Sequence, residues 1–217
     1  MTDPTYTDIT MVLDRSGSMQ SIKDDTIGGF DAFISEQGRL PGRCTVSLVQ
    51  FDNVYEEVYT GRDLADVPGL TLVPRGSTAM LDAIGRAVNA TGARLAAMPE
   101  DGRPGTVIVG IMTDGLENAS REFTYPMVKA LIEQQEQVYG WTFMYMGANQ
   151  DAIEVGASLG VARDRSLTYA GPKVAAAMGA YSASVGTIRE AVAAGAPIEQ
   201  ARRRAAYSDE QRKKAAD

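Results

Sequence analysis

Asp14-Arg15-Ser16-Gly17-Ser18-Met19, entered directly from the apolar run Ile9-Thr10-Met11-Val12-Leu13, is the stretch whose reading decides the fold. In a nearly extended segment residues i, i+2 and i+4 project the same way, so Asp14, Ser16 and Ser18 share one face at the end of a buried strand. A carboxylate and two hydroxyls are hard oxygen donors, suited to magnesium, manganese or calcium and poorly suited to zinc or copper. Gly17 lets the backbone turn tightly between them. Asp, Ser and Gly are equally the vocabulary of a plain turn, and the stretch taken alone leaves both readings open.

Two later segments weigh toward the cation site. Arg75-Gly76-Ser77-Thr78-Ala79-Met80-Leu81-Asp82-Ala83-Ile84 places a hydroxyl at the start of a helical pattern, and Val107-Ile108-Val109-Gly110-Ile111-Met112-Thr113-Asp114-Gly115 ends a second apolar strand in a carboxylate and a glycine. At these residues the sequence resembles the von Willebrand factor type A (vWA) domain with its metal-ion-dependent adhesion site. That family's pattern is Asp-x-Ser-x-Ser on a first loop, Thr on a second and Asp on a third. Here these positions are Asp14, Ser16, Ser18, Thr78 and Asp114, matched without substitution over a resemblance of roughly residues 7 to 169. The resemblance implies the vWA fold, a bound divalent cation held by these five residues, and a partner that supplies a Glu or Asp to it.

The remainder of the chain agrees with such a fold. Apolar runs alternate with helical periodicity, the pattern of an α/β, Rossmann-like three-layer sandwich with a mostly parallel central sheet and helices on both faces. Strands are expected over 8–13, 44–51, 54–59, 107–114, 141–146 and 166–169. Asp52-Asn53 separates the second and third as a compact hairpin turn, which adds one antiparallel edge strand. Helices are expected over 20–37, with Ile22, Ile27, Phe30, Phe33 and Ile34 inward, and after Thr78, with Leu81, Ile84, Val88 and Leu95 inward. A further helix follows Thr124 as N-cap, with Met127, Val128, Leu131 and Ile132 as its buried stripe. Gly28 and Gly29 would each cost about 1 kcal/mol inside a helix unless close packing requires them. The aromatic and Met residues of 141–146 are read as core packing rather than a cofactor box. Residues 1–195 form the vWA-like domain, and 196–217 are a charged, mildly basic tail, expected to be a solvated helix or a frayed end.

Composition narrows the function. The 217 residues contain no histidine, which removes Ser-His-Asp and Cys-His catalysis and argues against a mononuclear zinc hydrolase. The single Cys44 lies in an apolar run and reads as a buried small hydrophobe. The net charge of -7 argues against nucleic acid as the main partner. Residues 186–217 hold 7 basic and 5 acidic residues, leaving 14 and 23 in the rest, so the body is acidic and the tail basic. No run approaches the roughly 18 apolar residues of a membrane span, and the polar, acidic opening residues do not resemble a secretory signal. The expected setting is the cytoplasm or, for a viral protein, the virion, with no membrane partner.

In an open sheet, loops at the carboxyl ends of adjacent strands form a crevice where the strand order reverses, and the first and fourth strands are expected to flank it. Five oxygen groups, some reaching the cation through water, leave one coordination position for the partner's carboxylate. Magnesium is favoured because it accepts six ligands, whereas calcium wants more than this set supplies; manganese is a common substitute. Glu117, Asn118, Asn149 and Asp151 rim the crevice and are read as helix caps, while Arg15 and Met19 are expected to point away from it. The chain is therefore read as a binding module and not an enzyme: a scaffold or virion-associated component that joins structural proteins or, through its tail, neighbouring copies. An accessory subunit of an ATPase or chaperone-type complex is the alternative within that class. A magnesium-dependent phosphotransfer enzyme using Asp14 is the alternative outside it. Against that last reading, Ser16 stands where a haloacid-dehalogenase-like phosphatase needs a second Asp, and no lysine stands at a matching strand end; nucleotide binding is weaker still, with no G-x-x-x-x-G-K-[ST] and no G-x-G-x-x-G after a strand.

Overall fold

From Tyr6 to Asp14 every residue of the first strand, β1 (Asp3–Asp14), is buried, because the strand lies mid-sheet with helices over both faces. The computed structural model describes residues 2–216; Met1 and Asp217 lie outside the described residues. Alternation along β1 divides its side chains between two cores. Ile9, Met11 and Leu13 join one cluster, and Val12 joins the other.

The remaining strands are β2 (Arg43–Phe51), β3 (Tyr55–Asp63), β4 (Pro104–Thr113), β5 (Thr142–Ala148) and β6 (Ser166–Tyr169). They order as β3-β2-β1-β4-β5-β6, and every pairing is parallel except the β2–β3 hairpin at the edge. The sheet is thus the one expected, with β1 and β4 side by side where the chain reverses its direction of winding. β1 begins five residues before the expected strand, and β3 runs four residues past the expected end at Tyr59.

A 3-10 turn over Gly17–Ile22 precedes α1 (Lys23–Gln37), where one helix from 20 was expected. The tighter winding carries Met19 into the core immediately after the exposed Ser18. Phe33 of α1 packs on Tyr181 of α5 (Val174–Ala193), ring centroids 5.1 Å apart. Gly29 is needed at this contact, since a Cβ there would lie 2.9 Å from Met178 Cγ; Gly28 faces open space.

On the other face lie α2 (Met80–Ala96) and α3 (Tyr125–Tyr139). Leu81, Ile84, Val88 and Leu95 of α2 are buried as expected. In α3 only Val128 and Ile132 are fully buried, and Met127 is exposed, because it lies about 100° round the helix from Val128. Thr124 stands at the α3 N-cap position, but its side chain caps no backbone N–H.

Past α4 (Ala152–Leu159) and β6, the C-terminal residues differ from the solvated or frayed tail that their charge suggested. They form α6 (Ile198–Arg204) and α7 (Asp209–Ala216), and Ala201, Ala205, Tyr207 and Ala215 join the first core cluster. Arg202 is buried, donating to the Trp141 carbonyl and, at 3.2 Å, to Thr142 Oγ1. The Ala170 N–H donates to the Ala215 carbonyl at 2.9 Å, and Arg212 donates to the Ser166 carbonyl at 2.8 Å. The last two bonds tie α7 to the sheet's β6 edge. Among the described residues no helix is long and apolar enough to cross a membrane.

Candidate metal centre

Asp14 ends β1 and Asp114 follows β4, and the pairing of Leu13 with Met112 brings the two carboxylates out of neighbouring strands at the same edge. Ser16 and Ser18 lie on the loop after β1, and Thr78 lies just before α2. Asp14, Ser16 and Thr78 are buried, Asp114 is half-buried and Ser18 is exposed, so the group forms a pit with a closed floor and an open mouth.

Asp14 is held from both sides. Its Oδ1 accepts the Ser16 N–H at 2.6 Å and its Oδ2 accepts the Thr113 hydroxyl at 2.6 Å. Thr113 Oγ1 in turn accepts the Gly115 N–H at 3.1 Å, so the turn after β4 orients the hydroxyl that fixes Asp14. Burial raises the Asp14 carboxyl above its ordinary value, partly offset by these hydrogen bonds, and the charge of Asp114 raises it further. A buried carboxylate with a second, half-buried one beside it favours a nearby positive charge.

The hydroxyls converge. Ser16 Oγ and Ser18 Oγ are 3.1 Å apart. A Cβ built on Gly115 would lie 2.8 Å from Thr78 Oγ1 and 3.5 Å from Ser18 Oγ. Oxygen groups of the first and second loops therefore meet against the bare backbone of the third, in space that any other residue at 115 would fill. Among the described residues no three of His, Cys, Asp and Glu gather to hold a metal. A cation here would rest on two carboxylates and three hydroxyls, an all-oxygen set that fits magnesium or manganese and not zinc.

Further bonds tie the loops together. Asn118 accepts the Thr78 N–H through Oδ1 at 2.9 Å and returns its own N–H to the Thr78 carbonyl at 3.0 Å. Glu117 accepts the Leu81 N–H in the first turn of α2 at 2.9 Å, together with the N–H groups of Ala119 and Ser120. Asp151 accepts the Ile153 and Glu154 N–H groups and caps α4. Asn149 adopts φ 53° and caps from a distance: its Oδ1 accepts at 3.3 Å the N–H of Gly171, the first residue of the 3-10 turn that leads into α5. Met19 enters the core and Arg15 turns to Asp52 at 3.0 Å, both away from the pit. Pattern reading noted Gly115 without giving it a role and missed Thr113. A hydroxyl at the buried end of an apolar strand, followed by Asp-Gly, was the available signal.

The sheet order and the helix layers give a vWA-like, Rossmann-type α/β fold, with the loop cluster at the carboxyl edge of the sheet. No family model matches the sequence, and no curated protein matches it. Among solved structures the chain is similar to proximal thread matrix protein 1 from the mussel byssus, at 18% identity and a TM-score of 0.58 over 86% of this chain and 46% of that one. It is similar also to the vWF domain of the type V pili tip protein Mfa5 from Porphyromonas gingivalis, at 13% identity and a TM-score of 0.57, covering 82% and 94%. A von Willebrand factor type A structure from Catenulispora acidiphila matches at 15% identity and a TM-score of 0.53, covering 83% and 42%. The chain thus spans less than half the length of the first and last of these.

Proposed function

We propose that the chain is a metal-dependent protein-protein interaction module, in which Asp14, Ser16, Ser18, Thr78 and Asp114 hold a magnesium ion and a partner's Glu or Asp completes the coordination. The observation that carries this reading is the meeting of hydroxyls from two loops at the Gly115 backbone beside a buried carboxylate. When bound, the cation supplies an electrophilic position for the incoming acid group. The chain's own residues do the rest: Thr113 and the Ser16 N–H orient Asp14, and Asn118 sets the height of Thr78. Manganese or calcium would occupy the same oxygens with different preference.

A scaffold or structural role, virion-associated if the protein is viral, agrees with neighbours drawn from a byssal thread matrix and a pilus tip.

Pull-down from native lysate in magnesium and in EDTA tests the reading. Association is expected in magnesium only, lost in Asp14→Ala and Thr78→Ala while circular dichroism stays native, because Asp14 is the last residue of its strand and Thr78 lies on a loop. Association that survives EDTA contradicts it. Turnover of an aryl phosphate with magnesium, lost in Asp14→Asn, would replace it with the enzymatic alternative.

A further inference from the structure

Arg15, wedged between Asp14 and Ser16, is buried to 6% exposure, yet its guanidinium faces away from the pit. Its Nε donates to Asp52 Oδ2 at 3.0 Å, and Nη1 reaches Glu56. Asp52, fully buried in the β2–β3 turn, accepts through the same oxygen the Arg75 Nε at 2.8 Å. Its other oxygen accepts the Val54 N–H at 2.6 Å. Backbone bonds run along the same seam. The Arg75 N–H donates to the Arg15 carbonyl at 2.8 Å, Gly17 N–H to the Gly76 carbonyl at 3.2 Å, Arg15 N–H to the Phe51 carbonyl at 2.7 Å and Ala79 N–H to the Asp52 carbonyl at 2.9 Å.

One carboxylate in the edge hairpin thus clamps the loop carrying Asp14, Ser16 and Ser18 to the loop carrying Thr78. Two arginines and two acids make the network neutral in sum, so it fixes the geometry of the pit without adding net charge beside it. We infer that Asp52, with Arg15 and Arg75, is a positioning residue for the cation site, setting the distance between the first and second ligand loops. This rests on the metal-binding reading above.

Arg75 provides the discriminating variant, because its side chain is 58% exposed and its loss should leave the core intact. Removing a positive charge near a cation site would by itself tighten cation binding. Loss of the clamp does the opposite, and outer partners of metal ligands are typically worth about tenfold or more in affinity. Calorimetric titration of the full chain with manganese chloride is expected to show binding about tenfold weaker in Arg75→Ala, and weaker again in Asp52→Asn. Arg75→Lys, which keeps the charge but not the Nε geometry, should recover only part. The melting temperature of Arg75→Ala in EDTA should match wild type, which separates positioning from general stability. Manganese affinity in Arg75→Ala equal to or tighter than wild type overturns the inference. Absence of manganese uptake by the wild-type chain overturns the metal-binding reading beneath it.

Discussion

Gly115 is the position at which one added carbon does most. A methyl there would lie 2.8 Å from Thr78 Oγ1, closer than side chains pack, and Thr78 has a short side chain fixed at its backbone by Asn118. The hydroxyl must swing out of the pit. Gly115→Ala is expected to weaken manganese uptake about tenfold while leaving the melting temperature in EDTA within a degree or so of wild type; unchanged uptake would show that Thr78 does not face the cation. Of the candidate ligands, Asp14, Ser16 and Ser18 were grouped by their local i, i+2, i+4 spacing, and Thr78 and Asp114 only by the resemblance of their loops to the vWA pattern. Asp52 was not legible, since its partners Arg15 and Arg75 lie 37 and 23 residues away and only folding brings them together. Thr113 was hidden in a run that reads as apolar.

Between elements, the lacing of the Asp114 loop to α2 depends on a second carboxylate. Asp82 accepts the N–H groups of Arg121, Glu122 and Phe123, each at 2.9 Å. Burial alone would raise its pKa, but these three bonds outweigh burial and hold it below the ordinary carboxylate value. A depressed folded-state pKa means that the stabilisation is complete above about pH 4 and is lost as pH falls through the lower folded value. Urea unfolding should therefore show Asp82→Asn less stable than wild type at pH 7, with the gap narrowing toward pH 3. A gap independent of pH would exclude this role. Strands and the long helices were legible from their periods. The C-terminal pair was not, because its buried positions, Ala201, Ala205 and Ala215, are small and its charges dominate the pattern. Deletion of residues 198–217 uncovers Tyr207's packing site and the β6 edge, so the truncated chain is expected to melt lower and bind a hydrophobic dye. A solvated tail would leave both unchanged.

At the scale of the whole molecule, the sheet order places every candidate ligand at one edge, beside the reversal between β1 and β4. The α/β sandwich with its mostly parallel sheet was readable from the alternation of strands and helices, and the vWA-like topology only through the resemblance of its loops; the division into two cores emerges from the double-sided burial of β1. A ligand that binds only the folded state stabilises it by mass action, about 2.7 kcal/mol at a hundredfold excess over Kd. For a chain of this size magnesium should raise the melting temperature by about 5 to 10 °C, and EDTA should reverse the shift. The central claim is settled most directly by an anomalous difference map from crystals grown with manganese. A single peak bounded by Asp14, Ser16, Ser18, Thr78 and Asp114 is the predicted result; a map with no peak among those five residues would contradict it.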